Sequence, residues 1–180
     1  MKILGFLLAI SLSSAAFGQE FLTKTGQVTF LSKAPLNEFE GKSSVLNGLV
    51  DFDKNLLDFF VDLNTIKTGI GLRDSHMREN YLETNKYPFA EFTGKIDGSP
   101  QLSVGQKVPV KAIGTFKIHG VERKIEVSGF LTKLQNEKIE LDTNFTILLS
   151  DYNIPVPKLV FYELAEEQKV TIKATLTEKK

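Results

Sequence analysis

The 180-residue sequence has no cysteine and no tryptophan, and only two histidines. The missing cysteine excludes disulfides, thiol catalysis, cysteine metal sites and lipid attachment to a cysteine after a leader. A domain of this size is then stabilised by its apolar core alone. The scarcity of histidine weakens metal chemistry. His76 with Asp74 and Glu79 is the one grouping of ligand-type residues, and a solvated helix face accounts for it more simply. His119, beside Gly120, reads as a turn residue. Neither sign of charge is in excess: Lys and Arg total 22, as do Asp and Glu, with no basic block, so nucleic acid and anionic membrane surfaces are poor partners. There is no Gly-x-Ser-x-Gly elbow, no phosphate-cradling glycine loop and no HExxH, so no catalytic residue, cofactor or metal is expected. Nor is there an apolar run of the roughly 20 residues that a spanning helix needs, so no stable membrane anchor is expected.

What is present begins with a leader. Met1–Gly18 combines Lys2, an apolar run from Ile3 to Leu12 and small residues, with Ala16 and Gly18 at the −3 and −1 positions of a cut before Gln19. This is the pattern of a cleaved secretory signal peptide, leaving residues 19–180 as one exported domain. Loss of Lys2 leaves 21 basic against 22 acidic side chains, a net charge of −1.

Most of the mature chain alternates with a period of two, the signature of half-buried strands. The alternation runs from Gln27 through Val28 and Phe30 and breaks at Ala34-Pro35, and a short Phe39-Glu40-Gly41 connection leads to Ser44–Phe52. Further strands are marked by Leu57–Leu63, Phe92–Ile96, Lys107–Ile118, Glu122–Leu131, Ile139–Leu149 and Val170–Leu176, and polar turns join most of them. About eight strands with one apolar face each predict an all-β, antiparallel up-and-down barrel, because closure hides that face and removes exposed edges. The inward set is Phe30; Val50 and Phe52; Phe59 and Val61; Phe92 and Ile96; Val110, Ala112, Gly114 and Phe116; Ile125 and Val127; Leu141, Phe145 and Ile147; Val170 and Ile172. Small residues interrupt that face at Gly48, Gly94, Ala112, Gly114, Gly129 and Ala174. They either leave volume for a chain-like apolar ligand or ease the coiling of a filled barrel, and the residues themselves support both readings. If Gly114 faces open space, leucine there costs little more than alanine.

One stretch breaks the period. In Thr65–Phe92, Leu72, Met77, Tyr81 and Leu82 fall near one face of a helix, Asp74 or Ser75 can cap its start, and Pro88 stops it. A helical insert in an all-β chain predicts one covered mouth, with Leu72, Arg73, Asp74, His76, Met77 and Tyr81 around it. Arg73-Asp74 either orients a ligand headgroup or forms a local ion pair that fixes the insert.

Thr68-Gly69, Arg73-Asp74-x-His76-Met77, Lys86-Tyr87-Pro88 leading to Phe92, Gly114-Thr115-Phe116-Lys117-Ile118-His119-Gly120-Val121 and Ser150-Asp151-Tyr152-Asn153-Ile154 occur in that order. Together they resemble the YceI-like family of exported proteins, across essentially the whole mature chain. The resemblance implies an eight-stranded, lipocalin-like antiparallel barrel with a helix at one end. It also implies a periplasmic location and a pore that holds a polyisoprenoid or similar amphiphile. A non-catalytic lipid carrier, monomeric or homodimeric, is the expectation. A solid-core interaction module and an enzyme acting on a lipid-like substrate are the alternatives.

Overall fold

The alternating segments fold into eight strands, β1 (Glu20–Lys33), β2 (Glu38–Asp51), β3 (Leu56–Asp62), β4 (Phe89–Ile96), β5 (Lys107–Ile118), β6 (Val121–Leu134), β7 (Lys138–Leu148) and β8 (Glu167–Glu178). The computed structural model describes residues 19–156 and 164–179; the expected leader, residues 1–18, and Pro157 lie outside them. Each strand pairs antiparallel with its sequence neighbour, and β1 pairs with β8 to close the barrel. Tight turns suit this order. Ile118 pairs with Val121, so His119 and Gly120 alone make the β5–β6 turn. Both have positive φ, 54° and 73°, the two-residue geometry whose twist matches that of paired strands.

The first hairpin is longer than the alternation suggests. β1 begins at Glu20 rather than Gln27, and Phe39–Gly41 lies within β2 instead of connecting to it. The reason is a pair of compensating bulges: the β1–β2 register shifts between Thr23 and Gly26 and shifts back between Gly26 and Val28. Each extra residue flips the inward phase, so Phe21 and Thr23 are buried on odd positions of β1 but Gly26 and Val28 on even ones.

Inside and outside are sharply divided. The interior is mostly apolar, whereas the outer wall carries cross-strand ion pairs such as Lys111–Glu126 (2.8 Å) and Lys117–Glu91 (3.6 Å). A membrane-spanning barrel has the reverse arrangement, an apolar band outside. Among the described residues, no helix is long and apolar enough to cross a membrane.

The two ends differ. The chain-terminal end is sealed. Phe21 and Phe52 meet edge to face at 5.7 Å, and Ile139 and Leu176 nearby are fully buried. Lys54 bonds Asp51 at 2.8 Å and holds its carboxyl below the usual range; Glu20 pairs with both Lys54 and Lys179.

The opposite end carries the insert between β3 and β4. Asp62 caps a 3-10 turn at Leu63–Thr65, and Lys42 and Lys67 exchange two backbone hydrogen bonds of 2.9 Å that tie the insert to β2. Helix α1 (Gly71–His76) then runs into a π-helical turn at Met77–Tyr81. Thr84 Oγ1 donates to Asn64 Oδ1 at 2.8 Å, joining the end of the insert to its beginning.

The β6–β7 seam is paired over only part of its length. Its ladder runs from Leu134↔Lys138 to Gly129↔Thr143 and stops there. Beyond that point the Thr143 hydroxyl donates to the Ser128 carbonyl at 2.7 Å, and the strands separate toward the insert end. A 3-10 turn at Leu149–Tyr152 lies against both strands. Tyr152 is only 2% exposed and packs edge to face on Phe116, 5.6 Å away. Burial raises the pKa of its phenol, and Asp151 adds to the shift while Arg123 opposes it. The exposed residues of the unpaired β6 stretch include Glu122, Arg123, Lys124 and Glu126, charges that discourage pairing with another strand.

Candidate functional site

The barrel encloses a cavity of about 490 Å³. It descends from the insert end, between Met77, Tyr81 and Leu82 of the lid and the strand residues below, to Val50, Ile96, Leu131 and Leu141 near the sealed end. At the rim, Leu36, Ile70 and Leu72 line the cavity while staying 74%, 50% and 64% exposed, so the tube opens to solvent beside the lid. The volume is that of a small-ligand pocket.

The strand phase places the expected lumen residues. Phe30, Val50, Phe59, Val61, Phe92, Ile96, Val110, Ala112, Phe116, Val127, Leu141, Phe145, Ile147, Val170 and Ile172 all line the cavity. Three others do not. Phe52 lies past the end of β2, in the turn, and plugs the floor against Phe21. Ile125 packs on the core beside the separated seam without reaching the cavity. Gly114 pairs with Gly94, and the Phe92 ring covers it: a β-carbon on Gly114 would stand 2.6 Å from that ring and 2.5 Å from the Thr93 carbonyl oxygen. Gly48 is likewise covered by Phe59, and Gly41 by Phe30. Gly41, Gly48 and Gly114 therefore make room for aromatic rings lying across the sheet, which form part of the wall, whereas Gly129 lies against Thr143.

Of the expected mouth residues, Leu72, Arg73, His76, Met77 and Tyr81 line the cavity, but Asp74 does not. Asp74 also fails as the expected helix cap, because α1 starts at Gly71 with Ile70 as its N-cap and no side-chain cap. One turn into the helix, Asp74 is buried and reaches back: its Oδ1 accepts from the Thr68 amide at 2.8 Å and the Thr68 hydroxyl at 2.7 Å. Burial pushes its pKa up, but the two Thr68 bonds and the nearby positive charges of Lys67 and Arg78 outweigh it, leaving the carboxyl below its ordinary value. The alternative of a local Arg73–Asp74 ion pair is not what the structure shows, because Asp74 is engaged by Thr68. The Arg73 guanidinium instead lies over the Phe39 ring of β2, 4.2 Å from its centroid, and spans the gap between lid and barrel at the mouth.

The weak metal grouping also disperses: Asp74 is engaged by Thr68, and Glu79 accepts from the Ser75 hydroxyl at 2.8 Å. His119 does more than turn the chain. Its Nε2 is 2.8 Å from Glu83 of the insert and its Nδ1 3.0 Å from the Tyr152 carbonyl, so it joins three elements at the mouth end.

Sequence reasoning missed the polar residues of the lumen. Gln168 and Thr143 line the cavity, and Ser32, fully buried, lies behind Gln168. A signal existed: Ser32 continues the Val28–Phe30 phase, Gln168 precedes Val170 at the same spacing, and Thr143 falls between Leu141 and Phe145.

No curated protein sequence matches the chain. Solved structures do resemble it. A polyisoprenoid binding domain from Saccharophagus degradans, implicated in plant cell wall breakdown, superposes with a TM-score of 0.80 at 22% identity, covering 91% of this chain and all of that one. Burkholderia cenocepacia BcnA gives a TM-score of 0.70 at 16% identity, covering 84% of this chain and 96% of the other. The Campylobacter jejuni YceI protein gives 0.65 at 18% identity and covers 99% of both chains. At these identities the likeness establishes a shared barrel fold. The sequence profile of the YceI-like domain matches residues 19–177, most of the chain, and the protein belongs to the YceI-like domain family.

Proposed function

We propose that this protein is a non-catalytic, exported carrier that sequesters an isoprenoid-type or similar amphiphilic lipid, its tail in the barrel and its head at the mouth. The observation that carries this reading is the continuity of one apolar tube from the exposed rim of Leu36, Ile70 and Leu72 to a floor sealed by Phe21 and Phe52. A tube open at one end suits a ligand with one apolar and one polar end. The polyisoprenoid-binding description of the Saccharophagus degradans relative is in keeping with it. So is the lining: among the described residues, its few polar side chains form no nucleophile–base pair within hydrogen-bonding reach. Export to the periplasm rests on the signal-peptide pattern of Met1–Gly18.

Burial of each methylene stabilises by about 0.8 kcal/mol, so affinity needs no specific polar contact to become tight. A tail of about twenty carbons gains about 15 kcal/mol gross, before the cost of association. Calorimetric titration with a homologous series of straight-chain amphiphiles tests the reading. Affinity rises by up to about fourfold per methylene until the tube is full, then levels off. No binding at any chain length would reject the carrier and leave the interaction-module alternative.

A further inference from the structure

Among the described residues that line the tube, Arg73 is the one permanent cation, and it pairs with no carboxylate. It is half-buried at the mouth, three residues before His76 on α1, a spacing that puts the two on one side of the helix, and both line the opening. Phe39 holds the guanidinium carbon 4.2 Å from its ring centroid and is itself set edge to face on Phe30, 5.9 Å away. An aromatic ring attracts a cation but offers no lone pair, so the N–H donors of Arg73 stay available. Among the described residues no acceptor takes them, and no group engages the ring nitrogens of His76. The carboxylates of the insert and of the lining are held elsewhere: Asp74 by Thr68, Glu79 by Ser75, Glu83 by His119 and Glu91 by Lys117. From Lys67 to Arg78 the insert carries Lys67, Arg73 and Arg78 against Asp74 alone, which leaves an excess of positive charge on the lid.

A half-buried guanidinium at a cavity mouth, without a protein partner, is best complemented by an anion that it can bond through two N–H groups at once. We propose that Arg73, assisted by His76, is the head subsite of the tube and selects an amphiphile with an anionic head, a carboxylate or a phosphate. This rests on the reading of the cavity as a lipid tube and adds the chemical class of the head. The tail lies along the apolar wall below, and the head stays at the rim beside exposed Ile70 and Leu72. A cationic head on the same tail meets repulsion there instead. Acidic and basic side chains balance over the whole chain, so its overall charge gives anions no general advantage.

The test is competition among dodecanoate, dodecyl phosphate and dodecyltrimethylammonium, each below its micellar concentration at mildly alkaline pH, for the neutral dye N-phenyl-1-naphthylamine bound to the purified, delipidated protein. The native protein is expected to bind at least one of the two anions about tenfold or more tighter than the cation. The stronger anion names the source, a fatty acid or a phosphorylated lipid. Arg73→Met keeps an apolar stem and removes the charge, and it is expected to erase the preference. The ratio between heads is the readout, because Arg73 also fastens the lid to Phe39, and a loosened lid weakens all three amphiphiles alike. A native protein that prefers the cation overturns the inference, whatever the fate of the variant. So does a preference for the anions that survives in folded Arg73→Met. If the amphiphiles compete but are not distinguished, the lipid tube stands and the head subsite falls; if none competes, both fall.

Discussion

The Phe92 ring lies across Gly114 so closely that a β-carbon there would be 2.6 Å from its Cζ atom. The opposing backbone closes the other side, with Thr93 O at 2.5 Å and Gly94 Cα at 2.8 Å. Gly114→Ala is therefore expected to destabilise the protein by about 1–3 kcal/mol through overpacking, with Gly114→Leu worse. The ordering of urea midpoints, native above alanine above leucine, checks this. An alanine variant as stable as the native protein would mean that both the ring and the facing β4 backbone give way freely.

Tyr152 fills the place where β6 and β7 stop pairing. Tyr152→Phe keeps the ring contact with Phe116 and should change stability little, whereas Tyr152→Ala empties a buried site and should cost about 3–5 kcal/mol. Hydrogen exchange adds a local signature: amides of Val121–Ser128, which lack a β7 partner among the described residues, should lose more protection in the alanine variant than those of Gly129–Leu134.

Asp74 ties the stability of the insert to pH. Its folded pKa is lowered, so the unfolded chain binds its proton more readily. The stability it contributes is complete above the ordinary aspartate value of 3.8 and is lost as pH falls through the lower folded value. Thr68→Val removes the hydroxyl bond and should shift acid unfolding to higher pH, while Asp74→Asn should flatten the acid limb of the stability curve. Denaturation midpoints across that pH range check both.

Arg73 secures the mouth rather than the core. Its contact with Phe39 joins lid to barrel at a partly exposed site, where a cation–π contact stabilises by about 0.5–1 kcal/mol. Arg73→Ala should leave the thermal midpoint nearly unchanged and speed release of a bound long-chain probe severalfold, measured by stopped-flow displacement.

The barrel was legible in the sequence because alternation and burial are the same fact in a closed sheet. Lumen positions such as Val110, Ala112 and Phe116 followed from phase alone. What phase could not give were contacts set by the partner strand. The start of β1 was obscured because its bulge flips Phe21 and Thr23 relative to Val28. Gly41, Gly48 and Gly114 were ambiguous because rings of Phe30, Phe59 and Phe92, each on the neighbouring strand, occupy the space above them. Asp74 resembled a helix cap locally, and its true partner, Thr68, precedes the helix in a loop. Gln168 and Ser32 were overlooked because polar residues at the ends of an apolar face resemble strand termini.

Mass spectrometry of an organic extract from protein purified without detergent, beside Ala112→Phe, tests whether the tube carries an amphiphile. Ala112 lines the cavity at mid-strand on β5, opposite Ile96 and Val127, so a phenyl ring there blocks the bore. One class of long-chain amphiphile is expected near one molecule per native chain, and little or none on the folded variant. Native protein free of lipid, or an equal lipid load on folded Ala112→Phe, would contradict it.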